Sequence, residues 1–133
     1  MTDPARHCEC RGIGAAARAR EEVRRLVDDA ANVGHVLPES VEHDALLVAS
    51  ELVANAVRHT GGLCLLDVTW ADDGIDIDVT DSSPHPPRLR PPVPAGAVGG
   101  YGWPLVNRLA SHVEVRPTSA GGKTIHAHLP GAL

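Results

Sequence analysis

The chain has 133 residues, enough for one domain with a single core. A hydrophobic fraction of 43% places it among globular rather than disordered proteins, and a net charge of −5 excludes a nucleic-acid binder that works through a broad basic footprint. No run approaches roughly 18 consecutive apolar residues, and MTDPARHCECRG is no signal peptide, so a cytoplasmic protein without a membrane partner is expected. Cys8, Cys10 and Cys64 fit a reducing compartment better than a disulfide framework.

Residues 1–13 read as a short strand or a leader. HCEC offers three soft ligands there, His7, Cys8 and Cys10, but no second pair follows at zinc spacing. From Ala15 to Val33 the chain is rich in strong helix formers, with Ala19, Val23, Leu26, Val27 and Ala30 on one stripe and Gly34 as the stop.

The stretch LPESVEHDALLVASELVANAVRHTGG predicts a second helix, capped by Glu39 or Ser40 and stopped by Gly61 and Gly62. Ala45, Leu46, Ala49, Leu52, Val53, Ala56 and Val57 fill a broad apolar arc. Asp44, Glu51, Asn55 and Arg58 make a strip narrowed by Leu47, Val48 and Ala54. A helix apolar almost all round is a buried one, so its few polar groups need partners.

LCLLDVTW and IDIDVTD then alternate as strands, with Asp73-Gly74 as the hairpin turn. Six prolines between Pro84 and Pro94 exclude helix and central strand, so a long loop follows. GGYGWP opens a short helix from Pro104. HVEVRP and KTIHAHL make a last hairpin, on which His126 and His128 read as exposed. This order predicts an α+β fold, with helices on one face of a mostly antiparallel sheet.

Four places carry candidate chemistry. Glu51 and Asn55, at i and i+4, share one helical face; an amide oxygen can ligate Mg²⁺, and a carboxylate can take a proton from an attacking hydroxyl. A solvated helix face is the plainer account of the same pair. Asp81, at a strand end, can accept from the exocyclic amine of a base or simply close a turn. Gly99, Gly100 and Gly102 lead into a helix start, an arrangement that admits phosphate oxygens or serves as a hinge. The run matches neither a Walker A motif nor a Rossmann fingerprint. GGKT, residues 121–124, is explained as a hairpin turn with Thr124 opening a strand.

The order SELVANAVRHT, VTDSSP, GGYGWPLVNRLA, GGKTIHAHL resembles the GHKL (Bergerat-fold) ATP-binding domain over roughly residues 15–129. It is most similar to the short actinobacterial serine kinases that act as anti-sigma factors. The resemblance implies an α/β sandwich with a mixed, largely antiparallel sheet, filling 1–133 as one domain. It implies ATP and Mg²⁺ as cofactors, with Asn55 holding the metal and Glu51 as general base. Asp81 is then the reader of the adenine amine, Thr124 the hydroxyl near the base, and Gly100 and Gly102 the phosphate contacts. Residues 84–98, with Arg88 and Arg90, become the ATP lid. The partners implied are a sigma factor and an anti-sigma-factor antagonist phosphorylated on serine, without direct nucleic-acid contact, and a homodimer formed through the sheet. Ser82-Ser83 where a glycine box is usual, and Tyr101 between Gly100 and Gly102, depart from the family pattern and keep open a non-catalytic module that binds ATP or only a protein. A stand-alone ATPase or a histidine-kinase catalytic domain is less favoured: no water-positioning partner is evident, and no phosphoacceptor helix pair fits.

Overall fold

A computed structural model describes residues 3–84 and 102–131, apart from the side chain of residue 59. Among them run, in order, β1 (Ala5–Arg11), α1 (Ala15–Asn32), α2 (Glu39–Thr60), β2 (Leu63–Ala71), β3 (Gly74–Asp81), α3 (Gly102–Leu109), β4 (His112–Pro117) and β5 (Lys123–Pro130). The strands form one sheet in the order β1-β2-β3-β5-β4, and every described pairing is antiparallel rather than mixed. Helices α1 and α2 run out and back, returning the chain to the end of the sheet that it left. Arg11 therefore lies opposite Leu63, and β2 runs against β1.

The core follows from two periodicities meeting. Alternation on the strands sends Leu66, Val68, Ile75, Ile77, Val79, Ile125, Ala127 and Leu129 to one face, where each is at most 1% exposed. The helical stripe of α1 (Ala19, Val23, Leu26) and the arc of α2 (Ala45, Val48, Ala49, Leu52, Val53, Ala56) close over that face. Alanines at four of these helix positions let the helices approach the sheet closely, while each fully buried Leu or Ile contributes about 1.5–3 kcal/mol. Glu22, on the buried side of α1, is held by Arg6 Nε of β1 at 2.7 Å and Arg18 Nε at 3.5 Å, which ties strand to helix.

The structure differs from the sequence reading at three local points. Pro38 is the N-cap of α2 and no side chain caps it, so Glu39 belongs to the first turn with Glu42; both carboxylates there favour the positive end of the helix. The β2–β3 turn is Asp72-Asp73, both at positive φ (51° and 58°), as a type I′ turn requires. Gly74 is already strand, paired with Ala71, because a Cβ there would collide with the carbonyl oxygen of Leu129 on β5. His126 and His128 are not free surface residues: on the uncovered face they pair with Asp78 (2.7 Å) and Asp76 of β3 and are only 15% and 17% exposed.

Candidate functional site

Glu51 and Asn55 project from the middle of α2 and are half-buried. Neither makes a side-chain hydrogen bond or ion pair with any described residue. Most other charged groups near the core are paired, Glu22 and Asp81 among them. Helix α3 packs across α2, and its first residue, Gly102, brings its Cα against the Glu51 carboxylate. A Cβ at that position would overlap Glu51 Oε2. Glycine is required there by close approach. The positive end of α3 thus faces Glu51, a favourable electrostatic contact. The structure therefore brings together two features that stand 51 residues apart in sequence, Glu51 and the glycine-led helix start. Arg88, Arg90 and Gly100, with Tyr101 and all of the 84–98 segment beyond Pro84, lie outside the described residues.

Asp81 is the last residue of β3 and lies on the helix-covered face, in line with Ile75, Ile77 and Val79. Its carboxylate is engaged from within the protein. Lys123 Nζ, at the first position of β5, donates to Oδ1 at 2.9 Å and to Oδ2 at 3.0 Å, and the backbone N–H of Ser83 donates to Oδ1 at 2.9 Å. The two side chains are 5% and 1% exposed. Gly122 makes this junction possible, since a Cβ there would strike the carbonyl oxygen of Asp81. A cavity of about 350 Å³ opens at this end of the sheet, walled by Asp81 and Ser82, by Cys64 and Leu65 of β2, by Thr60 and by Gly122. That is the lower end of the roughly 300–1,000 Å³ of small-ligand pockets. Thr60 lies five residues past Asn55, roughly 7.5 Å along the helix axis. The described lining includes neither Asn55 nor Glu51.

Thr124 is not brought to Asp81. It points to the opposite, uncovered face of the sheet, where its hydroxyl meets that of Thr80 at 2.8 Å. Strand alternation explains this: Thr80 faces Thr124, Asp81 faces Lys123, and adjacent residues project oppositely. The sequence reading treated GGKT as a turn plus a threonine and missed Lys123. A usable signal was present. Residues 123, 125, 127 and 129 share one face of β5, the last three are apolar, and a lysine in such a row needs a buried carboxylate partner.

Cys8, Cys10 and Cys64 cluster beneath the same end of the sheet as free, buried thiols. Cys10 lies opposite Cys64 across β1 and β2, and Cys8 Sγ is 3.6 Å from Cys10 Sγ. Burial pushes the Cys8 thiol up to about 11. The hydrogen bond between Cys10 and Cys64 holds Cys10 high and Cys64 low, the proton staying on Cys10. No group of three or more His, Cys, Asp or Glu side chains among the described residues is arranged to hold a metal ion.

These features define a class. The chain belongs to the family of histidine kinase-like ATPase domains, whose model matches residues 13–128. Its fold is also that of the crystal structure of the RsbU and RsbW domains of Rv1364c from Mycobacterium tuberculosis. The match has a TM-score of 0.65 at 22% identity, over 96% of this chain and 32% of that one. This chain therefore spans about a third of that protein's crystallised length. Among curated proteins none matches. The GHKL resemblance and the α+β architecture read from the sequence both stand. No helix among the described residues is long and apolar enough to cross a membrane.

The donor set can be tested against the cofactors that such a family implies. Mg²⁺ takes oxygen ligands, one or two from protein and the rest from phosphates and water. The Asn55 amide oxygen and the Glu51 carboxylate, unclaimed by other described groups, fit that need. At the other end, Asp81 could serve an adenine amine only with Lys123 already on it, so the base end fits a nucleotide less simply than the metal end does.

Proposed function

We propose that the chain is an ATP- and Mg²⁺-dependent protein serine/threonine kinase that acts as an anti-sigma factor. In this reading it phosphorylates a serine of a partner antagonist and binds a sigma factor, as a homodimer formed through the open sheet face. One observation carries it: a half-buried carboxylate and amide stand one turn apart without protein partners among the described residues, and the carboxylate, Glu51, lies against a glycine-led helix start. The family match supports the nucleotide, and the likeness to a structure containing an RsbW domain is consistent with the regulatory setting.

The residues divide the work as follows. Glu51, positioned against Gly102, accepts the proton of the incoming serine hydroxyl. Asn55 offers its amide oxygen to the metal. Gly102, with Gly100 before it, presents N–H groups at the helix start to phosphate oxygens, and Arg88 or Arg90 offsets charge developing on the transferred group. When bound, Mg²⁺ and the triphosphate supply charge neutralisation and the phosphoryl group. Asp81 and Lys123 form the end of the site that the base meets, taking the place proposed for Asp81 with Thr124.

Transfer of labelled γ-phosphate to the serine-bearing antagonist, with calorimetry of Mg·ATP binding, tests this. Glu51→Ala should abolish transfer, by about 10²-fold or more, while leaving the affinity for Mg·ATP largely intact. Undiminished transfer by that variant would remove Glu51 from its role.

The Lys123–Asp81 ion pair favours one alternative: a regulatory module of the same fold that holds ATP, or only a protein, and transfers nothing. Tight Mg·ATP binding with no transfer to any serine partner would select it.

A further inference from the structure

The carboxylate placed to read a base is already occupied. Asp81 presents two oxygens with about four acceptor positions. Lys123 Nζ takes one on each oxygen, and the Ser83 N–H takes another on Oδ1. One acceptor position therefore remains. Its character has also changed, because an ammonium 2.9 Å away neutralises the negative charge on which a charge-assisted hydrogen bond depends. Lys123 in turn has three N–H groups. Two point at Asp81, and the third has only the Ser83 carbonyl oxygen at 3.5 Å, too long for a good bond. The pair thus leaves one acceptor position, on Asp81 Oδ2, with its charge already neutralised.

We propose that Lys123 is a specificity-determining residue for the base. By neutralising Asp81, Lys123 makes this end of the site indifferent to whether a purine carries an amine or a carbonyl at its six position. The inference rests on the nucleotide-binding reading above and refines its substrate class to purine nucleoside triphosphates in general rather than ATP alone. A bare buried carboxylate accepts from an amine and repels a carbonyl oxygen. The ion pair does neither strongly: a six-amine meets only the remaining, neutralised Oδ2 lone pair, and a six-carbonyl meets no net negative charge. The pair is held by both strands and by the Gly122 close approach, so Lys123 cannot retreat without leaving a buried charge unpaired.

Calorimetry on the whole chain separates the outcomes. The titrants are the Mg²⁺ complexes of ATP, inosine triphosphate and purine riboside triphosphate, with inorganic tripolyphosphate as a base-free probe. The wild-type protein should bind the three nucleotides within about fivefold of one another, whereas a site that reads the amine directly discriminates by more than about tenfold. Lys123→Thr, which frees Asp81, should gain a preference for ATP over inosine triphosphate of about tenfold or more. A wild-type preference for ATP beyond fivefold overturns the inference and leaves the nucleotide reading standing. A folded Lys123→Thr protein that stays indifferent also overturns it. If no nucleotide and no tripolyphosphate binds, the nucleotide reading itself falls, and this refinement with it. Should Lys123→Thr not fold, the wild-type series alone decides.

Discussion

The two ends of the seam between α2 and the sheet are built on opposite terms. At the middle of α2, Glu51 and Asn55 are half-buried and make no side-chain hydrogen bond or ion pair with any described residue, and the neighbouring helix brings Gly102 against Glu51. At the sheet end, Asp81 and Lys123 are almost wholly buried and satisfy each other. The buried pair is compensated from within the protein, whereas Glu51 and Asn55 have no side-chain partner among the described residues. The difference is energetic and can be measured. Removing either partner of the buried pair, as Asp81→Ala or Lys123→Ala, should cost about 3–5 kcal/mol, because one charge is left uncompensated. Replacing both by apolar residues of similar size, as in Asp81→Leu with Lys123→Met, should restore most of that loss. Asn55→Ala should change stability by no more than about 0.5 kcal/mol, as at a position with no fold-serving contact. Urea unfolding of the four variants checks this, and the contrast fails if Asn55→Ala proves as damaging as Lys123→Ala.

Gly102 tests the same contrast from the ligand side. An added methyl there meets the Glu51 carboxylate, so Gly102→Ala must displace either Glu51 or the start of α3. Only a short helix and a flexible side chain have to give, and alanine favours the helix, so stability should shift by about 1 kcal/mol or less. Activity should suffer more. A displacement of an ångström at a catalytic group is worth up to about 10²-fold in rate. Phosphotransfer assays beside thermal melts would separate the two, and a variant with normal transfer would show that the Glu51–Gly102 contact has no part in the chemistry.

The sequence made the Glu51–Asn55 pair more legible than the Asp81–Lys123 pair, for a physical reason. Glu51 and Asn55 are local: a spacing of four residues on a helix fixes their relation whatever the rest of the chain does. The narrow polar strip on an apolar α2 then marked them as unusual. The core was legible for the same reason, because the alternation in IDIDVTD and the stripe of α1 are each set by one element. The Lys123–Asp81 contact joins residues 42 apart and depends on the β3–β5 register, which no single stretch encodes. With that register unknown, nothing local shows that Lys123 rather than its neighbour Thr124 shares the face of Asp81, since a shift of one residue along a strand reverses its face. The Asp72-Asp73 turn was missed because the Asp-Gly dipeptide is the stronger local signal, while the need for glycine at residue 74 comes from Leu129 on a strand more than 50 residues away.

The smallest expected effect concerns the thiols beneath the Asp81 end of the sheet, where the contrast between the two regions can be sharpened by pH. Cys8 is 4% exposed, and burial raises its thiol from the ordinary 9.0 to about 11. The folded protein therefore keeps this proton longer than the unfolded chain does. Stability from the neutral thiol is fully present below pH 9. It is lost as the pH climbs toward 11, because only the unfolded chain gains by ionising in that window. Lysine and tyrosine ionise in the same range, so the informative quantity is a difference: the urea midpoint of the wild type should fall more steeply between pH 9 and 11 than that of Cys8→Ala. Cys64 has the opposite sign, its thiol held low by the hydrogen bond with Cys10, so its contribution grows as the pH rises toward 9, and Cys64→Ala should lose that gain below pH 9. If both variants follow the wild-type curve, the three sulfurs are ordinary core atoms, and the cavity wall at Cys64 carries no electrostatic bias of its own.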